Sequence, residues 1–63
     1  MTFNERIPAR DVARIIGIKT ATLAKWRRLG KGPKGWREMS PTLVTYPASE
    51  VERFISERRS DHN

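Results

Sequence analysis

The sequence predicts a mainly α domain with a small β-hairpin: about three helices and a projecting two-stranded element. Three observations predict it. An apolar segment, Asp11 to Ile16, stops at Gly17 and is followed after a short turn by a basic segment, Thr20 to Leu29. Two stretches, Ile7-Pro8-Ala9-Arg10-Asp11-Val12 and Tyr46-Pro47-Ala48-Ser49-Glu50-Val51, begin alike. Between them lies a Gly- and Pro-rich segment followed by residues of β character.

The first helix is expected over about Pro8 to Ile16. Proline fits a first turn, where its missing N–H has no intrahelical partner. The acid three positions on, Asp11, favours the positive end of the helix dipole. Val12, Ile15 and Ile16 form the apolar stripe at helical spacing. Gly17 supplies the positive φ that ends the helix, and Ile18 plugs the turn. The second helix is expected over about Thr20 to Leu29. Leu23 and Trp26 face the core, with Leu29 or the stem of Arg27 beside them, and Gly30 ends the helix. Two helices joined this way form a helix-turn-helix, which holds the second helix so that its charged face enters a DNA groove.

Gly30, Gly32, Pro33 and Gly35 then forbid regular structure. Trp36 to Met39 and Thr42 to Tyr46 read as two short strands with the turn at Ser40-Pro41, since Leu43, Val44 and Tyr46 have β character. The last helix is expected over about Pro47 to Glu57 with Val51, Phe54 and Ile55 inward. Ser49 and Glu52 also fit a capping box, which would start it two residues later. The echo between the two Pro-Ala segments reads as two helix starts solved alike, because nothing else recurs. The expected core is Ile7, Val12, Ile15, Ile16, Ile18, Leu23, Trp26, Tyr46, Val51, Phe54 and Ile55. Residues 1–63 read as one domain, ordered over about 6–58, with a frayed arm before it and a polar tail after it.

Size and composition exclude several function classes. A chain of 63 residues buries only about 60% of its unfolded surface, which leaves little room for a cleft beside the core. It has no cysteine, and its one histidine, His62, is in the tail. No catalytic constellation, metal site or cofactor motif stands out, so no enzyme, no cofactor and no small-molecule substrate are expected. No apolar run approaches a membrane span, and no signal peptide is evident, so a cytoplasmic protein with no membrane partner is expected.

Charge points to a polyanion. Lys and Arg number 13 against 7 Asp and Glu, a net charge of +6 at pH 7. Ten of the 13 basic residues lie between Arg6 and Arg37, and four of the 7 acids lie from Glu50 onward. Between Lys19 and Arg37 there are seven basic residues and no acid. That asymmetry is the footprint of a nucleic-acid partner. On the second helix the face opposite Leu23 and Trp26 presents Ala21, Thr22, Lys25 and Arg28. A helix fits the major groove, where Lys25 and Arg28 can reach guanine O6 and N7 or a phosphate. Thr20 and Thr22 sit in the first turn, where hydroxyls and N–H groups hold phosphates, although Thr20 also has a capping role open to it. Ala21 is small enough for close approach or for contact with a thymine methyl. Arg27, Lys31, Lys34 and Arg37 surround this helix and suit backbone contacts. Arg6, Arg10 and Arg14 are either flanking phosphate contacts or solvated charges. Trp26 reads as core by its phase with Leu23, with stacking on bases as the other reading. Trp36 either packs under the loop or lies on the DNA backbone.

These residues resemble a known family. Val12-Ala13, Ile16-Gly17-Ile18, Thr22-Leu23, Trp26-Arg27, Gly30, Gly32-Pro33, Tyr46, Glu50-Val51 and Phe54-Ile55 are similar to the small excisionase/AlpA-type proteins, related to the DNA-binding end of MerR-like regulators. The similarity covers about Ile7 to Glu57. It implies a winged helix-turn-helix whose second helix enters the major groove of double-stranded DNA and whose hairpin, the wing, reaches an adjacent groove or backbone. It further implies a phage excisionase that binds repeated sites beside an attachment site, bends the DNA and directs an integrase toward excision. Its partners would then be double-stranded DNA, an integrase and further copies of itself. The alternative within the family is a prophage transcriptional regulator. Lys19 departs from the capping Ser frequent in the family, which moves the expected helix start to Thr20. The uncharged tip Met39-Ser40-Pro41-Thr42 departs from its usual basic residue, which leaves Arg37 as the better backbone contact there.

Overall fold

A computed structural model describes residues 5–60. Its elements run β1 (Arg6–Pro8), α1 (Ala9–Ile16), α2 (Thr20–Leu29), β2 (Arg37–Ser40), β3 (Leu43–Pro47) and α3 (Ala48–Ser60). The strands form one antiparallel sheet in the order β1-β3-β2. Three helices and a hairpin were expected from the sequence. The third strand, β1, was not. Its residues had been assigned to the approach and first turn of the first helix.

β1 explains the sequence echo. Ile7 pairs with Tyr46, Arg6 with Pro47 and Pro8 with Thr45. The two similar segments therefore lie side by side and antiparallel, with Ile7 opposite Tyr46. Each strand ends in proline, and each helix starts at the following alanine. The prolines thus close strands rather than opening helical turns. Pro8 holds the N-cap position of α1 in an extended conformation. Pro47 sits at the end of its strand, where a missing N–H is tolerated. Val12 and Val51, five residues beyond Ile7 and Tyr46, are both buried in the core. α3 starts at Ala48, one residue after its expected start, so Ser49 lies inside the first turn and not at a cap.

The core is Val12, Ala13, Leu23, Tyr46 and Val51, with Ile7, Ala9, Ile16, Ile18, Trp26, Val44 and Ile55 packed around it. Ile15 is 51% exposed, contrary to expectation. The inward stripe of α1 is instead Ala9, Val12, Ala13 and Ile16, and two of its members are alanines. Small residues let α1 approach its neighbours closely, which displaces the larger Ile15 to the flank. Leu29 is likewise outside the core at 57% exposure. Phe54 is half-buried. It meets Trp26 at 5.8 Å in a tilted pair, and the Arg58 guanidinium lies over both rings at 5.9 and 5.5 Å.

The joint between α1 and α2 is fixed by backbone. Gly17 adopts φ 93°, and the N–H groups of Gly17 and Ile18 both donate to the Ala13 carbonyl, at 2.8 and 2.9 Å. The bond from Ile18 is the six-to-one closure of a Schellman motif, and it turns Ile18 back toward the core. α2 ends the same way, with Lys31 N donating to the Trp26 carbonyl at 2.8 Å. The connection that follows is seated on the fold. Pro33 is buried, and Gly35 adopts φ 79° where a Cβ would lie 2.9 Å from Pro47 Cγ. β2 and β3 then form the hairpin, with an irregularity between Glu38 and Ser40 and the turn at Pro41-Thr42, one residue beyond its expected place.

Candidate nucleic-acid interface

α2 carries the candidate surface because its periodicity separates two faces. Leu23 is buried, and Trp26 packs against the core. On the opposite side Ala21, Lys25 and Arg28 are exposed. Thr22, expected on that face, is half-buried at its edge. Thr20 is exposed and is the first helical residue. The N-cap is Lys19, with extended backbone and no side-chain cap, so Thr20 is not the cap. The N-cap residue thus offers no side-chain acceptor to the N–H groups of the first turn, and such groups are suited to an anionic acceptor.

The remaining expected cations fall into three settings. Arg37 is exposed at the start of β2, paired in register with Thr45. Lys31 and Lys34 are exposed, but the connection carries them toward α3. Lys31 borders Trp26, Phe54 and Arg58, and Lys34 borders Glu50, Arg53 and Glu57. Both also line a surface of the connection shared with Trp36, which borders α2. Arg27 is half-buried: its Nη1 donates to the Tyr46 hydroxyl at 3.3 Å, and its guanidinium lies 5.7 Å above the Trp36 ring. It ties α2 to the base of the hairpin.

Among the three flanking arginines, only Arg10 stands as a plain exposed charge. Arg6 is part of the sheet, donating from Nε to Thr45 Oγ1 at 2.8 Å and from Nη2 to the carbonyls of Gly35 and Thr45 at 2.9 and 3.1 Å. It fastens the connection to β3. Arg14 pairs with Asp11 at 3.0 Å, one helical turn away. Among the described residues the ion pairs are this one and Arg53–Glu57 at 3.4 Å. Both are exposed, and both lie away from α2. Lys25, Arg28 and Arg37 are in no ion pair among the described residues.

Trp36 is 46% exposed and lies outside the core, beside the Gly30–Gly35 connection. It lines a surface groove with Ala21, Ala24, Arg27 and Arg28. The contribution of Ala24 was missed in the sequence, although its spacing of three from Ala21 put both on one side of the helix.

No family model, no curated protein and no solved structure matches the chain. The candidate surface therefore stands on its own residues. Among those described, no cluster of three or more His, Cys, Asp or Glu is placed to hold a metal ion, and no helix is long and apolar enough to cross a membrane.

Proposed function

We propose that this chain is a winged helix-turn-helix protein that binds double-stranded DNA, with α2 as the reading helix in the major groove and the β2–β3 hairpin as the wing. One observation carries the reading: Ala21, Lys25 and Arg28 lie exposed along one side of α2, opposite buried Leu23, with no carboxylate paired to them among the described residues. An exposed stripe of small and cationic residues on a rigidly held helix suits base edges and phosphates. Arg28 and Lys25 read or clamp, the first turn from Thr20 to Thr22 meets a phosphate, and Arg37 contacts the backbone at the wing base. Lys31 and Lys34, turned toward α3, act on more distant phosphates. Arg27 positions the wing.

Within that reading we assign the chain the role of an excisionase, which occupies repeated sites beside a phage attachment site and bends the duplex so that an integrase acts in the excisive direction. The resemblance from Ile7 to Glu57 supports this role. Bending 20–30 bp by 40–90° costs on the order of 1–6 kcal/mol, and a single small domain offers few contacts to offset it. Several copies on adjacent sites share that cost.

Selection of bound duplexes from a random library, followed by footprinting at physiological salt, tests the reading. Direct repeats at helical spacing, filled cooperatively, are expected. A single or inverted site would support a transcriptional regulator with the same reading surface. A folded protein that enriches no sequence would end the DNA-binding reading.

A further inference from the structure

An indole that is 46% exposed on a domain this small calls for a physical account. Trp36 is not loose. The Arg27 guanidinium covers it at 5.7 Å and is itself held by the Tyr46 hydroxyl at 3.3 Å. The ring thus has a held cation on it, and it borders both the Gly30–Gly35 connection and the groove it shares with Ala21, Ala24, Arg27 and Arg28. The methyl groups of Ala21 and Ala24 and the indole supply its apolar lining, and the side chains of Arg27 and Arg28 supply its cations.

This notch is part apolar and part cationic. Its apolar part lies on the side of α2 that faces outward, so a duplex docked on Lys25 and Arg28 brings base edges to it. The one apolar group a base pair shows in the major groove is the 5-methyl of thymine. We propose that the Ala21–Ala24–Trp36 notch receives the 5-methyl group of a pyrimidine in the major groove while Arg28 donates to O6 and N7 of an adjacent guanine. The assignment rests on the DNA-binding reading and adds to it a base preference: thymine, or 5-methylcytosine, next to guanine. Arg27 takes part only as a positioning residue, holding the indole.

The test uses the full chain and the best duplex from the random selection. Each thymine is replaced singly by deoxyuridine, which removes the methyl and keeps the base pair. One thymine per bound copy is expected to lose about fourfold in affinity, the value of burying one methyl-sized group. A 5-methylcytosine·guanine pair at that place should bind more tightly than its unmethylated counterpart. Trp36→Ala and the notch-filling Ala21→Gln, both at exposed positions, should bind the thymine and deoxyuridine duplexes alike. The proposal is overturned if every deoxyuridine duplex binds like its parent, or if both variants still discriminate. It also falls if Trp36→Ala weakens all sequences equally while the native chain ignores the methyl, since the indole then lies on the sugar-phosphate backbone. Failure of the native chain to bind any duplex removes the DNA-binding reading itself. Binding without methyl discrimination removes only this assignment.

Discussion

At the scale of single residues, the cations are unequal. Arg28 and Lys25 point away from the core on α2, whereas Lys34 borders the acids of α3 and Arg6 is consumed by three hydrogen bonds, two to Thr45 in the sheet and one to the Gly35 carbonyl in the connection. Arg28→Ala should lose about 1–3 kcal/mol of binding and relax selectivity at one base position. Lys34→Ala should change affinity by less than Lys25→Ala, measured by titration of one duplex at fixed salt. Lys19 offers a stability test. It occupies the N-cap of α2 without a side-chain bond, so Lys19→Ser should stabilise the fold by about 1 kcal/mol and raise Tm by about 4–8 °C. An unchanged Tm would mean that the cap lies elsewhere. Some of these differences are invisible in sequence. Nothing local to Arg6 announces a partner at Thr45, and Trp36 gives no clue that its covering group is Arg27, nine residues earlier.

At the scale of elements, glycine and periodicity made much of the fold legible. The bounds of α2 and the glycine stop after α1 follow from local chemistry, and the sequence reading placed both. β1 was missed because three residues are too few to show alternation and their partner strand lies far along the chain. The inward stripe of α1 was misplaced because Ala9 and Ala13 carry little hydrophobic weight beside Ile15. The two glycines at the joints should respond differently to substitution. At Gly17 a Cβ meets nothing within 4 Å, so Gly17→Ala bears only the left-handed backbone penalty of about 1–2 kcal/mol. Gly35→Ala bears a comparable penalty and a 2.9 Å approach to Pro47, so it should destabilise the fold further. Urea unfolding of the two variants side by side checks the order. Equal losses would show that the connection is not seated on β3 as described.

At the scale of the whole molecule, a small core supports one working surface. α1 and α3 follow directly from the paired strands β1 and β3, α1 holds α2 through the Gly17 joint, and Arg27 joins α2 to the hairpin. Under the proposed DNA-binding role, the outward cations act together on the duplex. Binding should weaken linearly in log–log terms with salt, and Arg37→Ala should lower the slope by about 0.9 if it meets one phosphate. That the surface is cationic was legible from the acid-free stretch between Lys19 and Arg37, whereas the neighbours of Lys31 and Lys34 required the path of the connection. The most direct test of this account is the Lys25→Ala/Arg28→Ala double variant against the selected duplex at physiological salt, with circular dichroism to confirm an intact fold. The account predicts that affinity falls at least tenfold and that the preference for the selected sequence over random duplex disappears. A folded double variant that binds the selected duplex as the native chain does would contradict it.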